Sequence, residues 1–384
     1  MKKSRRGLAV LLIASAILFQ AGCWNYREVD EVAIVAGVAV DEGTVGKYKL
    51  TVEIMHIEGG RDAKVLSRVV SVEGKSMFDA VRNIISESGQ RLYWSHSKAI
   101  IISQEVAKKG VAKIIDWYNR DAETRATVNI FVSGRKTAGE IFAAASITED
   151  LKSIEIQKMM ESEKSLSRAP ETEIWKFTND IEGEGIEPVV PVISYDTEDG
   201  GKNIKIEGTA VFRNDELIGF IDGENTEDML FIQNKIKGGV LTQIEPGQEG
   251  DCAVTLEIFN NATKVKPVTY NGKIEINIET KTEVAIDEIE GSENFIEDAE
   301  RKKLEADTEK ALKDRLEKTI KKVQSEYGLD IFGFGAKIRQ DKPDLWDKVG
   351  SNWNETFAGL KVNVNTKIHI RNSGMTSKTI ERGK

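Results

Sequence analysis

The residue types that most often perform chemistry are scarce in this chain of 384 residues, which has three histidines and two cysteines. His56-Ile-Glu58 has the spacing that opens the metal motif of zinc deaminases, but no Pro-Cys-x-x-Cys segment follows it. His96 has a ring able to shuttle protons, although a hydrogen-bonded structural histidine is the favoured interpretation. His369, like His56, lies in an apolar stretch without a second ligand at metal spacing. We therefore predict no metal site.

Motifs for covalent or cofactor chemistry are also missing from the sequence. Gly333-Phe-Gly335 lacks the third glycine and the preceding strand of a dinucleotide fingerprint, so it predicts a tight turn or a close backbone approach. The acid pairs Glu182/Glu184 and Asp287/Glu288 fall in expected loops or at strand ends, where solvation explains them. The sequence therefore predicts no catalytic residue, no cofactor and no enzyme activity.

Residues 1–22 have the pattern of a bacterial export signal that ends directly before Cys23. Basic side chains within residues 2–6 precede an apolar run over 8–19, and Ala21-Gly22 adjoins the cysteine as in a lipobox. About 12 apolar residues span only ~18 Å as a helix, too short for a hydrocarbon core of ~30 Å. We predict a lipoprotein signal peptide over 1–22 and lipidation of the Cys23 thiol. An uncleaved membrane anchor is the alternative.

The charge of the chain limits its partners. The formal net charge is −9 at pH 7, and removal of the basic signal makes the remainder more acidic. Phosphate backbones and anionic head groups repel such a surface, so we predict no nucleic-acid partner and a membrane attachment that depends on acyl chains. With Cys23 lipidated, no disulfide can form within the chain. Cys252 begins an alternating apolar segment and is predicted to pack as a small hydrophobe.

The order of strand and helix patterns along the sequence predicts an α+β fold. We expect several domains with mostly antiparallel or mixed sheets and packed helices. An N-terminal domain over 23–196 begins with a hairpin of strands 31–41 and 47–56. Its first helix is predicted to start at the cap Ser76 and to bury Phe78, Val81, Ile84 and Ile85. A second helix is expected over 104–119, and proline-containing loops follow residue 165.

Two further domains are predicted beyond a polar linker at 196–203. A small middle domain over 204–245 holds a hairpin that turns at Asn214-Asp215 and a helix that begins at Asn225.

The C-terminal domain is predicted over 250–384 as an α+β unit that contains a long helix. Residues 273–286 alternate apolar and polar side chains, which is typical of a half-buried antiparallel strand. Apolar residues three or four apart indicate the helix from about Phe295 to Tyr327, with Asn294 as its cap and Gly328 as its end.

Several stretches of the sequence, in their order and spacing, resemble the Ger(x)C family of spore germination lipoproteins, the C subunits of germinant receptors. They are Cys23–Gly37, Arg91–Lys98 (RLYWSHSK), Lys109-Gly110, Asn119–Asp121, Gly208–Phe212 with Leu217–Gly219, and Asp330–Gly335 with Trp346 and Trp353. The two tryptophans are expected to cover the end of a sheet, with a role as exposed interface anchors as the alternative.

The resemblance implies a lipid-anchored, non-enzymatic subunit of a nutrient germinant receptor. It implies assembly with integral membrane A- and B-type subunits at the extracytoplasmic face of the cell membrane, in the inner membrane of the spore. Only Cys23 carries over as a functional residue, and direct binding of a small germinant is not expected. A solute-binding lipoprotein that captures a small ligand directly is the alternative function, and an extracytoplasmic hydrolase is the third.

Overall fold

The computed structural model describes residues 32–58, 64–144, 148–196, 203–244, 252–289 and 298–373. Its strands form one sheet of nine strands and one of four, and helices pack on both. The first sheet contains β1 (Val32–Glu42), β2 (Tyr48–Glu58), β3 (Lys64–Gly74), β4 (Arg91–Tyr93), β5 (Ala99–Ile102), β6 (Asn129–Ser133), β7 (Val189–Asp196), β8 (Asn203–Arg213) and β9 (Glu216–Ile221). The predicted α+β class with mixed sheets is confirmed.

The first sheet combines both strand orientations and is covered on both faces. Its order is β3-β2-β1-β5-β6-β7-β8-β9, with β4 beside β1; β1, β5, β6 and β7 run parallel, and the outer pairs run antiparallel. Strands in such a sheet are apolar throughout because they bury both sides, as β1 does. One face packs on α1 (Met77–Ser88), α2 (Gln104–Lys108), α3 (Ala112–Arg120) and α5 (Ile174–Glu182), and the other on α4 (Lys152–Ser162).

Helix α1 begins where predicted but turns a different side to the sheet. The Ser76 hydroxyl accepts a hydrogen bond from Asp79 N at 3.2 Å, so the cap is confirmed. Met77, Ala80 and Ile84 are the buried residues of the helix, whereas Phe78 and Ile85 are 50% and 37% exposed. The predicted burial of Phe78 and Ile85 was wrong. The buried stripe of the helix is narrow and runs through residues 77, 80 and 84, so Phe78 and Ile85 lie beside it and face solvent.

Two other expectations about the N-terminal region were wrong in detail. The helix predicted over 104–119 is interrupted at Gly110, whose φ of +93° is a conformation that side chains with a Cβ avoid. The segment expected as loops contains helix α5 and strand β7. Strand β7 lies inside the sheet between β6 and β8, with Pro191 at an irregularity in its pairing with β8.

The second sheet has the order β10-β11-β12-β13, formed by β10 (Val240–Ile244), β11 (Cys252–Tyr270), β12 (Lys273–Ile289) and β13 (Lys361–Ser373). Strands β11 and β12 form a long antiparallel hairpin that turns through Asn271 and Gly272, both with positive φ. Strand β13 pairs with β12 in parallel, so the sheet is mixed.

A long helix, α7 (Asp298–Glu326), packs on the second sheet, as the sequence predicted. Gly328, with φ of +61°, follows its last turn and is its predicted end. The expected cap Asn294 lies outside the described residues. Three short helices, α8 (Phe334–Asp341), α9 (Pro343–Val349) and α10 (Trp353–Ala358), precede β13. Within the described residues, no helix combines the length and the apolar character needed to cross a membrane.

Helix α6 (Gly223–Ile232) connects the two sheets. The β8–β9 hairpin, with its predicted turn at Asn214, continues the first sheet, while Met229 and Phe231 of α6 belong to the core of the second. The predicted start at Asn225 was wrong: the cap is Asp222, whose carboxylate accepts from Asn225 N at 2.8 Å. The division into domains at 23–196, 204–245 and 250–384 stays a prediction.

Candidate functional site

The residues that the sequence singled out do not come together. Cys23 lies outside the described residues, and so does the side chain of Cys252, whose backbone begins β11. His56 on β2 has Nε2 2.9 Å from Arg68 Nη2, while His96 lies in the turn after β4 with its ring 5.9 Å from that of Tyr93. His369 lies on β13. In the parts of the chain that are described, no group of three His, Cys, Asp or Glu side chains is arranged to hold a metal ion.

A buried ionic cluster joins α6 to α7, and sequence reasoning missed it. Glu227 and Asp228 on α6 have side chains that are only 1% exposed. Arg315 on α7 has Nε 2.6 Å from Asp228 Oδ1 and Nη2 3.3 Å from Glu227 Oε2. Thr319, one turn further along α7, donates its hydroxyl to Asp228 Oδ2 at 2.7 Å. One guanidinium therefore faces two neighbouring carboxylates.

Burial controls the titration of this cluster. Desolvation raises the pKa of Glu227 to about 7, although the positive charges of Arg315 and Arg168 oppose the shift. Desolvation likewise raises the pKa of Asp228, against the pull of Arg315 and the Thr319 hydroxyl. Carboxyl groups with raised pKa values occur in active sites. Here, however, the pair contacts the Arg315 guanidinium and the Thr319 hydroxyl of α7, and these contacts fasten one helix to another.

A second buried carboxylate organises the loop after α7. Asp330 is fully buried and accepts hydrogen bonds from Phe332 N, Gly333 N and Gly335 N at 2.8–3.1 Å. Trp353 Nε1 donates to the same carboxylate at 3.0 Å. Burial raises the pKa of Asp330 to about 6, while these donors favour its charged form and oppose the shift.

The two C-terminal tryptophans belong to this buried region. Trp346 and Trp353 are 7% and 6% exposed, and their ring centroids lie 5.5 Å apart. Trp346 Nε1 donates to Glu184 Oε2 at 3.1 Å, which connects α9 to the loop after α5. Both rings fill the core beside the second sheet. Their position therefore fits the prediction that they cover the end of a sheet better than the alternative of exposed interface anchors.

A cleft lies where the segment after α4, helix α5 and the loop after α6 meet. We name it the junction cleft; it has a volume of about 380 Å³, and its walls include Met160, Lys164, Trp175, Leu230, Lys235 and Lys237. A second, more open groove of about 810 Å³ runs past Glu184, Arg339, Trp346 and Trp353. Its side chains already bind one another, since Arg339 and Trp346 both contact Glu184.

Comparison with known proteins identifies this two-sheet fold as that of a spore germination protein. The family "Spore germination protein N-terminal domain" matches residues 25–195, and "Spore germination B3/GerAC like, C-terminal" matches residues 207–374. Together they cover most of the sequence, and the chain belongs to the Ger(x)C family of spore germination proteins.

Individual relatives match over nearly their whole length. Spore germination protein KC of Bacillus subtilis (strain 168) is 26% identical, with 97% of each chain covered. Spore germination protein B3 of the same strain is 24% identical over 94% of this chain and 96% of the relative. The crystal structure of the GerBC protein superposes with a TM-score of 0.57 at 23% identity, covering 88% of this chain and 97% of that one. The fold is therefore shared along the chain.

Family membership gives the chain a role in spore germination, in a family that is not a known enzyme family. One stretch of the resemblance, Arg91–Lys98, forms β4 and the turn toward β5. There Trp94 is buried and packs edge-on against Trp117 at 5.0 Å and Tyr118 at 6.2 Å. This stretch thus contributes Leu92 and Trp94 to a core of the first sheet, and its exposed residues are Arg91, which pairs with Glu123 at 2.9 Å, and His96.

Proposed function

We propose that the chain is the lipid-anchored, non-enzymatic subunit of a nutrient germinant receptor. In this proposal the signal over 1–22 is removed, Cys23 carries the lipid, and the rest of the chain lies at the extracytoplasmic face of the spore inner membrane. There it assembles with integral membrane A- and B-type subunits and is required for germination in response to a nutrient.

The position of Cys23 is the observation that carries the proposal. The cysteine follows a segment with the residue pattern of an export signal and stands two residues before residue 25, where the match to the N-terminal family domain begins. Processing at that position would place the lipid nine residues before Val32, the first residue of β1. Two acyl chains give stable attachment to a bilayer, whereas one gives reversible attachment.

An anchor of this kind explains how an acidic protein works beside a membrane. The net charge of −9 gives no attraction to anionic head groups, so the lipid supplies the attachment. Tethering confines the protein and its membrane partners to a thin layer and raises their effective concentration, so that modest contact surfaces are sufficient for assembly.

The buried charges support a structural rather than a catalytic body. Glu227 and Asp228 face Arg315, and Asp330 faces backbone N–H groups and an indole. These carboxylates hold helices and loops in place, and each is enclosed by the fold. A catalytic acid or base instead needs to reach the atoms of a substrate.

A comparison of the two cysteines in spores tests the proposal. Cys23→Ser removes the lipidation site, and Cys252→Ser is the matched control because it makes the same atomic change elsewhere in the chain. We expect the first variant to leave the membrane fraction and to abolish nutrient-triggered germination, while the second retains both. Normal germination by a Cys23→Ser protein that is absent from the membrane fraction would overturn the proposal.

A further inference from the structure

The junction cleft differs from the rest of the surface in its charges. Lys164, Lys235 and Lys237 line it, and none of the three forms an ion pair with another described residue. The fourth lysine of the cleft, Lys176, is paired with Asp180 at 2.9 Å. Three lysines that form no ion pair with a described residue therefore gather around one concave space of about 380 Å³, with the Asp180 carboxylate as the nearby negative charge that acts on Lys235.

Lys235 is the most perturbed of these cations. Lys235 is exposed to solvent at the wall of the cleft, where neighbouring protein atoms partly desolvate its ammonium group. Desolvation and the nearby charge of Lys176 lower the pKa of Lys235 to about 8. An anion bound beside this ammonium would restore the interaction that water no longer supplies.

The carboxylates of the cleft are engaged elsewhere or lie open to water. Glu163 is buried and accepts a hydrogen bond from Arg168 N at 2.5 Å, so it is turned toward its own backbone. Glu173 accepts a hydrogen bond from the indole of Trp175. Glu171 is exposed to solvent. None of them forms an ion pair with Lys235 in the described structure.

An apolar wall completes the cleft. Trp175 is 47% exposed, which is unusual for an indole, and its Nε1 bond to Glu173 fixes the ring within the wall. Met160, Ala169 and Leu230 add apolar surface to the same space. Ligand sites commonly combine such an apolar lining with a few polar groups that orient the ligand.

We propose that the junction cleft binds a small organic anion, with its carboxylate or phosphate group on Lys235 and its apolar body against Trp175. The chemistry recognised is an oxyanion attached to a ring or another apolar group. A lipid-anchored receptor subunit needs no ligand of its own, so anion binding would be a separate property of this chain. Its failure would leave the anchoring proposal unchanged.

Titration calorimetry with the full chain in a nonionic detergent tests the proposal. Benzoate and phenyl phosphate are the probes, and benzamide is the matched neutral probe, with detergent alone as the blank. We expect saturable heat from at least one anion and affinity at least tenfold weaker for benzamide. The stronger of the two anions identifies the oxyanion. Equal affinity of benzamide, or no saturable heat from either anion at millimolar concentration, would overturn the proposal.

Variants locate the binding event. Lys235→Gln should weaken the anion at least tenfold, whereas Lys264→Gln, the same change on the exposed surface of β11, should leave its affinity within twofold. Trp175→Ala should weaken both charged probes while the circular dichroism spectrum stays unchanged. Binding that is insensitive to Lys235→Gln would overturn the assignment.

A pH series supplies an independent readout on the unmodified chain. Anion affinity should fall as pH rises through about 8, because Lys235 loses its charge there. The other titratable groups that face the cleft are Glu163, Glu171, Glu173, Lys164, Lys176 and Lys237, and the Asp180 carboxylate beside Lys176 also acts on Lys235 and favours its charged form. Lys235→Gln should remove this fall in affinity, and a fall that persists in the variant would contradict the role of Lys235.

Discussion

Arg315 Nε on α7 lies 2.6 Å from Asp228 Oδ1 on α6, across 87 residues of sequence. Helix α6 follows the last strand of the first sheet, and α7 packs on the second. This ion pair therefore fastens the two halves of the chain at one buried point. The ion pair matters to stability because its carboxylates are buried: Asp228 and the neighbouring Glu227 are each only 1% exposed.

Loss of the Arg315 guanidinium is expected to destabilise the protein strongly. Arg315→Ala leaves two buried carboxylates without their counterion, and we expect it to lower the free energy of unfolding by about 3 kcal/mol. Lys313→Ala is the control, since Lys313 pairs with Glu317 on the open side of the same helix and should cost at most ~0.5 kcal/mol. Urea denaturation followed by circular dichroism measures both. Equal losses of unfolding free energy in the two variants would show that the buried ion pair contributes no more to stability than the exposed one.

The buried Glu227 makes stability depend on pH. Its pKa is about 7 in the folded chain against 4.5 for the free side chain, so the unfolded chain releases this proton first. The contribution of Glu227 to stability is therefore greatest below pH 4.5 and falls as pH rises to about 7. The loss amounts to ~3 kcal/mol at most.

Glu227→Gln, which cannot ionise, should remove this dependence. We expect the difference in unfolding free energy between the variant and the unmodified chain to grow from pH 4.5 to 7 and then to level off. Denaturant titrations across that range measure it, with Glu224→Gln on the exposed side of α6 as the control. A difference that stays constant with pH would show that Glu227 is ionised throughout.

The two tryptophans should differ in what their indole N–H groups contribute. Trp353 Nε1 donates to the fully buried Asp330, whereas Trp346 Nε1 donates to Glu184, whose side chain is 64% exposed. Water replaces the lost donor only at Glu184, so Trp353→Phe should cost about 2 kcal/mol more than Trp346→Phe. Thermal unfolding of the two variants tests this, and equal midpoints would refute it.

Carboxylates from α7 protect the free edge of β13. Glu305 Oε1 accepts from Ile370 N at 2.8 Å, and Glu309 Oε1 accepts from Ile368 N at 3.1 Å. Exposed strand edges promote association between chains. The double change Glu305→Ala and Glu309→Ala should therefore increase light scattering at 37 °C and cost about 1 kcal/mol for each lost bond. Glu317→Ala on the same helix is the control, and a monomeric double variant of unchanged stability would contradict this role.

The sequence was sufficient for elements whose signal is local. The alternation in 273–286 identified β12, the apolar spacing identified α7, and Asn214-Asp215 identified a turn whose first residue has φ of +54°. Ser76 was recognisable as a cap because its partner, Asp79, lies three residues away.

What the sequence did not predict depends on distant partners. The alternation of apolar and polar residues in β12 favoured antiparallel neighbours. Its pairing with β13 is parallel because the chain crosses over between the two strands through α7 and the short helices, and a local pattern does not reveal that path. Glu227 and Asp228 look like solvated acids at the start of a short helix, and only the position of Arg315 reveals their burial. The apolar run Met229–Ile232 directly after them was the one local sign that this helix is enclosed.

In the proposed function, a lipid on Cys23 holds this protein at the membrane. Mass spectrometry of the N-terminal peptide, from protein extracted from spore membranes, tests it most directly. We expect residues 1–22 to be absent and the chain to begin at Cys23 with a diacylglyceryl group on its sulfur. A chain that keeps residues 1–22, or a mature terminus with a free Cys23 thiol, would contradict it.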